Sequence, residues 1–476
     1  MVAFVAAAAI GDGRKWDFPG GHADSLCALA IGEGMDALEQ EMRRHARAIW
    51  DAAVAAADPQ ALVRAAVTGA LREELVAAPR IIVVGGGKAG AAMAAGLEET
   101  LADRIDRIEG IVNIPEGSEL PLRKIVAHPA RPAGKNFPTP EGVAGTERML
   151  ELLAGAGPDD VAVCLLSGGG SALLPAPAEG ITLDDKLAVT KLLHSSGATI
   201  QEMNAVRKHL SRSKGGGFAR AFRGKKLVSL IISDVVGDPL DVIASGPTAA
   251  DPTYFRHARL PLMRYDLLEK IPGNVLDRIY RGGSSEIEET LKELPPNVQN
   301  RIIGNNAISL RAAQAAAERL GYSVLNLGAY VEGETREVAN TVVGIVRSIR
   351  SDGVPLVPPA CLLIGGETTV TLGPNPGKGG RNQEFALAFM YQLGSRPAIS
   401  RVVALSGGTD GEDGPTDSAG AVVSSSSWLA QDECGVSTRD CLLTHNAYEY
   451  FEKSGDLLKT GLTGTNVMDV RVILVR

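Results

Sequence analysis

Lys88 ends the run Gly85-Gly86-Gly87-Lys88, and Arg381 follows Gly377-Lys378-Gly379-Gly380. A cation at the mouth of a glycine loop can meet a phosphoryl oxygen or a carboxylate with no bulky neighbour in the way. A further loop, Ser167-Gly168-Gly169-Gly170-Ser171, offers bare peptide amides and two hydroxyls, the makings of an anion nest. Acidic groups gather in Gly408-Thr409-Asp410-Gly411-Glu412-Asp413-Gly414-Pro415-Thr416-Asp417, whose order does not match an EF-hand loop and better suits magnesium or a triphosphate. Asp234, at the end of an apolar run, and Asp413 are the candidate Mg²⁺ ligands, since magnesium favours one or two carboxylates plus phosphate oxygens. Phosphoryl transfer suits such a set, because it needs positioned cations and amides more than covalent chemistry.

Two further groups could hold a substrate. On a helix Asn204, Arg207, Lys208 and Ser211 share one face, and with Lys214 they suit a carboxylate or phosphate. Glu367, in the loop Gly365-Gly366-Glu367-Thr368, joins the candidate substrate contacts with the amides of Gly85, Gly86 and Gly87. The competing reading comes from Gly85, Gly87 and Gly90, which satisfy the dinucleotide pattern G-x-G-x-x-G, with Glu109 or Glu116 for the ribose. That reading is a dinucleotide-dependent oxidoreductase, and it leaves the Arg381 and Asp410 regions without work. A non-catalytic sugar-acid or nucleotide sensor is a third. No Walker A, kinase, G-x-S-x-G or H-E-x-x-H motif occurs.

The elements that must position these residues recur along the chain. RIIVV, DVAVCLL, LVSLIIS, ACLLI and RVVAL are continuous apolar runs, each ending in a loop of glycine, serine or aspartate. Such runs between helical stretches indicate α/β architecture with parallel strands covered on both faces and ligands beyond their carboxyl ends. The 55 glycines among 476 residues are explained largely by these loops. A charged, proline-bearing stretch at 286–300 places a domain boundary at 297/298, and GVPLVPPA at 353–360 reads as a second candidate linker. Residues 1–34 read as a loose tail without a targeting or membrane-spanning role, helical order is expected from Met35, and Met35 is a candidate start.

Lys and Arg number 48 against 56 Asp and Glu, a net charge of −8 without long like-charge blocks, so no nucleic-acid or membrane footprint is present. Five cysteines without a C-x-x-C pair fit a reducing cytoplasm. Small molecules are the expected partners, and the oligomeric state stays open, a homodimer being one option.

In VVGGGKAG, LLSGGGSALL, IQEMNAVRKHLSRSKGG, SDVVGDPLDVIASGPT, GGETTVT, GGRNQE, GTDGEDGPTDSAGA and TGLTGTNVMD, the chain resembles the glycerate 2-kinase family whose C-terminal part is called the MOFRL domain, from about residue 36 onward. Some members of that family are labelled hydroxypyruvate reductase, and an NAD(P)H-dependent hydroxypyruvate reductase is the alternative function that the label implies. The resemblance implies ATP- and Mg²⁺-dependent phosphorylation of D-glycerate at its 2-hydroxyl. It implies a cleft between a larger N-terminal Rossmann-like α/β/α sandwich, residues 35–297, and a smaller C-terminal α/β domain of MOFRL type, residues 298–476 with its core at about 358–476. The family's catalytic lysine falls on Lys88 and its catalytic arginine on Arg381, while Asp410 matches an acidic residue serving as base or metal ligand. Leu462 and Glu412 depart from the family pattern, which usually has proline and an apolar residue there.

Overall fold

The computed structural model describes residues 23–476 except 133, 135, 136, 395–398 and 429–435, and the apolar run at the start of the chain lies outside the described residues. Two six-stranded sheets organise the chain. The first contains β1 (Ile81–Gly86), β2 (Ile108–Pro115), β3 (Ile125–Arg131), β4 (Val161–Leu166), β5 (Lys226–Ile232) and β6 (Val298–Gly304). Its spatial order is β3-β2-β1-β4-β5-β6 with every pairing parallel. This is the doubly wound order in which connections leave β1 and β4 toward opposite faces and open a crevice at their carboxyl ends. Both strands are buried along their whole length, which is why each is an unbroken apolar run. Apolar clusters lie on both faces, one including Leu71, Leu97 and Val163, the other Met149, Cys164 and Phe218.

The second sheet contains β7 (Ser323–Asn326), β8 (Ala360–Gly366), β9 (Val402–Gly408), β10 (Gly420–Val423), β11 (Leu457–Leu458) and β12 (Asp469–Val475), ordered β11-β10-β9-β12-β8-β7. It is mixed rather than parallel throughout. β12 lies antiparallel between β8 and β9, pairing Asp469 with both Gly366 and Gly408. β8 and β9 therefore run the same way and deliver their glycine loops to one edge, where β12 begins. The expected parallel arrangement holds for the first sheet and for β7–β8 only.

The domain limits also differ from expectation. β6 pairs with β5, so the boundary falls after Gly304 rather than at 297/298, and the charged segment before it is the approach to an edge strand. The stretch 353–360 connects the helix Thr335–Asp352 to β8 within the second domain. Of the expected loose tail 1–34, residues 1–22 lie outside the described residues, and from Ala23 a helix runs to Ala55, with its glycines tolerated at a propensity cost of about 1 kcal/mol each. Its buried side chains Met42, Ile49 and Trp50 join the second sheet's core beside Leu310 and Val472, and the Trp50 indole donates to Gly407 O at 3.3 Å. The helix that precedes the first sheet in sequence thus packs on the second sheet. The helices Leu183–Ser195, Ile200–His209, Phe255–Arg264 and Gly273–Gly283 form a separate bundle with its own core.

Candidate active site

The two sheets turn their glycine-loop edges toward each other, and the segment before β12 crosses between them. Val467 is buried in the first domain's core, the Thr465 hydroxyl donates to Ala57 O at 2.8 Å, and Asn306 donates to Val467 O and Asp469 O at 2.7 and 2.8 Å.

Lys88 enters this cleft from the loop after β1. Its ammonium lies 3.0 Å from Asp410 Oδ2 and 3.4 Å from Glu412 Oε2, both on the loop after β9. Burial disfavours the ammonium, but Asp410 and then Glu412 outweigh it and hold its pKa above the ordinary lysine value. Arg381 opens the helix Arg381–Leu393, and its Nε and Nη2 form a fork on Asp469 at 2.8 and 3.0 Å. Its Nη1 donates to Glu367 Oε1 at 2.6 Å. Burial opposes this charge too, yet Asp469 and Glu367 keep the guanidinium firmly protonated.

The two cations share one cluster of carboxylates. Burial raises the pKa of Glu367, Arg381 opposes that rise, and Asp469, Asp234 and Asp410 add to it. Asp234 is likewise raised by burial, and it feels both Lys88 and Asp410. The structure brings Lys88, Arg381, Asp410, Glu367 and Asp234 together.

The glycine loops behave differently from expectation. Gly85 and Gly86 belong to β1, where a Cβ on Gly85 would overlap the Leu165 carbonyl of β4. A Cβ on Gly87 would overlap the Ser167 side chain. The following N–H groups are already used: Gly87 donates to Asn113 O at 3.1 Å, Lys88 to Gly168 O at 2.8 Å, and Ala89 to Ser167 Oγ at 3.1 Å. These glycines let two strand ends approach each other rather than cradle an anion. In the second loop Ser167 donates to Gly86 O at 3.3 Å, Gly170 to Ser167 O at 3.2 Å, and Gly169 to the Asp234 carboxylate. Asp234 therefore occupies part of the expected nest, and Ser171 Oγ lies 2.9 Å from Ser245 Oγ. Of the two acids offered for a ribose, Glu109 lies at the opening end of β2, paired with Arg80 away from the cleft, while Glu116 follows the carboxyl end of that strand.

Asp413 is the clearest correction to the metal assignment. One carboxylate oxygen accepts from Asn382 N at 3.0 Å and the other from Gln383 N at 2.8 Å, so a loop about thirty residues downstream caps the helix that carries Arg381. Burial pushes its carboxyl up to about 7 against the pull of those amides. Asp234 stays at the cleft. Among the described residues no three acidic, histidine or cysteine side chains form a protein-only metal cage, which leaves room for an ion held by one or two carboxylates and phosphate oxygens.

The helix Ile200–His209 divides its expected face. Lys208 pairs with Asp241 and Asp251 at 3.0 and 3.1 Å, and Ser211 Oγ donates to Ala176 O at 3.1 Å, so both serve the scaffold. Asn204 is buried and Arg207 half-buried, while Lys214 reaches Ser171 O at 2.7 Å. Sequence reasoning missed Asp469, Glu412 and Arg131, whose guanidinium lies against Gly169 and in the field of Glu412. Asp469 had one visible signal: it is the acidic residue opening an otherwise apolar C-terminal strand apart from Arg471.

A domain of unknown function, DUF4147, matches residues 45–280, and the MOFRL family matches residues 360–469. The chain is 42% identical over 396 residues to the glycerate 2-kinase of Pyrococcus horikoshii, covering 83% of this chain and 87% of that protein. It is 42% identical over 438 residues to an Agrobacterium vitis protein carrying a provisional hydroxypyruvate reductase name, covering 91% and 94%. The crystal structure of glycerate kinase from Thermotoga maritima superposes with a TM-score of 0.80 at 34% identity, covering 92% of this chain and all of that one. With a glycine-flanked lysine and a forked arginine on one cluster of carboxylates, the chain belongs to the glycerate kinase family, in which a DUF4147 domain is joined to a MOFRL domain.

Proposed function

We propose that this chain is a cytoplasmic, ATP- and Mg²⁺-dependent glycerate 2-kinase that phosphorylates the 2-hydroxyl of D-glycerate in the interdomain cleft. The observation that carries this reading is the convergence of Lys88 and Arg381, from different domains, on one group of carboxylates. Lys88 and Arg381 neutralise charge on the moving phosphoryl group, with Arg381 held in orientation by Asp469. Asp410 accepts the hydroxyl proton as the substrate oxygen bonds to the γ-phosphorus and the bond to the β-phosphate oxygen breaks, leaving ADP. Once Asp410 is neutral, the ammonium beside it faces the phosphoryl group. Asp234, next to Gly168 and in the field of Asp410, is the side chain we assign to Mg²⁺. When bound with the nucleotide, that ion supplies charge neutralisation to the phosphate oxygens. Arg207 and Lys214, with Asn204 beside them, take the acceptor's carboxylate.

Phosphorus NMR of the reaction of ATP, Mg²⁺ and D-glycerate tests the reading. A phosphomonoester coupled to the C2 proton is expected. A product phosphorylated at C3, or no product, overturns it. Incubation with hydroxypyruvate and NADH is expected to leave the absorbance of NADH unchanged.

A further inference from the structure

The reading above uses Arg207 and Lys214 but gives no work to a third cation beside them, Lys186 of the helical bundle. Lys186, on the helix Leu183–Ser195, is 7% exposed, and its ammonium has no hydrogen-bond partner among the described residues. Its charged neighbours are Arg207, Arg278 and Arg212, all of its own sign. Arg207 makes no hydrogen bond or ion pair among the described residues. Lys214 is 4% exposed, donates to a single carbonyl, and sits in the field of Lys186, Arg207 and Lys208. Lys208 is different, because Asp241 and Asp251 neutralise it. Arg212 and Arg278 are also engaged, the first with Glu147 and the second with His209 O at 2.9 Å.

Buried cations without counter-charges are costly, and they shed a proton or recruit an anion. Burial and then the neighbouring arginines push the Lys186 ammonium down to about 7, and Lys214 is driven the same way by burial and its cationic neighbours. A structural role would supply a carboxylate, as it does for Lys208. Location adds an independent argument. The Lys214 ammonium is bonded to Ser171 O, while the Lys88 N–H is bonded to Gly168 O, three residues earlier in the same turn. Lys88 of the phosphoryl site and Lys214, which lies in the field of Lys186 and Arg207, thus border one short loop.

We propose that Lys186, Arg207 and Lys214 form a receptor for the acceptor's carboxylate, with Lys186 its buried anchor, so that the site takes short hydroxy acids and rejects uncharged polyols. This inference rests on the phosphotransferase reading above and adds to it Lys186 as a specificity residue. Arg207 supplies the permanent charge, and Lys186 adds a charge that is favourable only when an anion faces it.

The test compares the full chain with its Lys186→Met variant, using D-glycerate and glycerol as probes. Without ligand the variant is expected to unfold at the same or a higher temperature, because an unpaired buried cation has been removed. D-glycerate is expected to stabilise the native chain, and the variant is expected to lose that shift. In steady state KM for D-glycerate is expected to rise roughly 10²-fold with KM for ATP unchanged, as for loss of one charge-assisted contact. Glycerol is expected to be a poor acceptor for both. A KM within twofold of the native value, a lower unfolding temperature, or failure to fold overturns the proposal, as the last two mark Lys186 as structural. If the native chain forms no phosphorylated product, the phosphotransferase reading falls while calorimetry still decides the receptor: D-glycerate binding lost in the variant upholds it, and binding equal in both chains or absent from both overturns it.

Discussion

Lys88 Nζ stands 3.0 Å from Asp410 Oδ2, joining residues 322 positions apart in sequence and on different domains. In the proposed reaction the cation for the phosphoryl group and the carboxylate for the hydroxyl are therefore delivered by separate sheets. Relative placement of the domains sets the reacting distance, and the segment 465–469, buried in one domain and opening β12 of the other, holds that placement.

Replacing Lys88 by alanine is expected to lower kcat by roughly 10²–10³-fold, the effect of losing one preorganised transition-state donor. The unfolding temperature is expected to change little, because a partly exposed ion pair contributes about 1 kcal/mol or less. Steady-state kinetics with D-glycerate and ATP measure the first, and calorimetric melting the second. Native turnover in Lys88→Ala would remove this residue from the reaction.

Arg381→Lys keeps the charge but not the fork. The guanidinium spans both oxygens of Asp469 and also reaches Glu367, which an ammonium on a flexible stem cannot reproduce. The expected result is a loss in kcat of about tenfold or more, given that fixed donors act by their position. If kcat in Arg381→Lys equals the native value, the fork geometry has no part in turnover.

Asp413→Ala separates a helix cap from a metal ligand. Loss of the two amide contacts at the start of Arg381–Leu393 is expected to cost about 1–2 kcal/mol of stability. Activity is expected to fall through misplacement of Arg381, and raising Mg²⁺ is expected not to restore it. Recovery at high Mg²⁺ would instead assign Asp413 to the ion. Both readouts come from denaturant titration and an Mg²⁺ series with the same sample.

How far the site was legible depends on whether a feature is local. β1 and β4 announce themselves because a strand buried on both faces admits only apolar residues, and Lys88 and Arg381 because a cation beside glycines stands out. The capping role of Asp413 was hidden, since it shows only when the helix it caps is brought beside it. Likewise, amides that looked free in Gly85–Gly87 are used up by β2 and β4, whose neighbourhood no local pattern records. The antiparallel entry of β12 and the return of Ala23–Ala55 to the second sheet are order and docking choices, while amphipathic period shows only that some face is covered.

The Lys186 environment predicts a pH dependence of stability with a definite sign. Burial, then Arg207, Arg278 and Arg212, push its pKa down to about 7 from the usual 10.5, and Lys214 beside it moves the same way. Between those two values the unfolded chain binds a proton that the folded chain has released, so this group makes stability rise with pH from about 7 to about 10.5. Below about 7 both states are protonated at Lys186, and the burial penalty is carried in full. The Lys186→Met variant lacks that dependence, so its stability advantage over the native chain is expected to be largest near neutral pH and to shrink as pH rises. The three arginines keep their charge throughout, and the slope left in the variant belongs to Lys214 and the remaining titrating groups. Denaturant titrations of both chains at intervals from pH 7 to pH 10 measure the gap, and a gap that stays constant or widens with pH means that the folded chain keeps Lys186 charged.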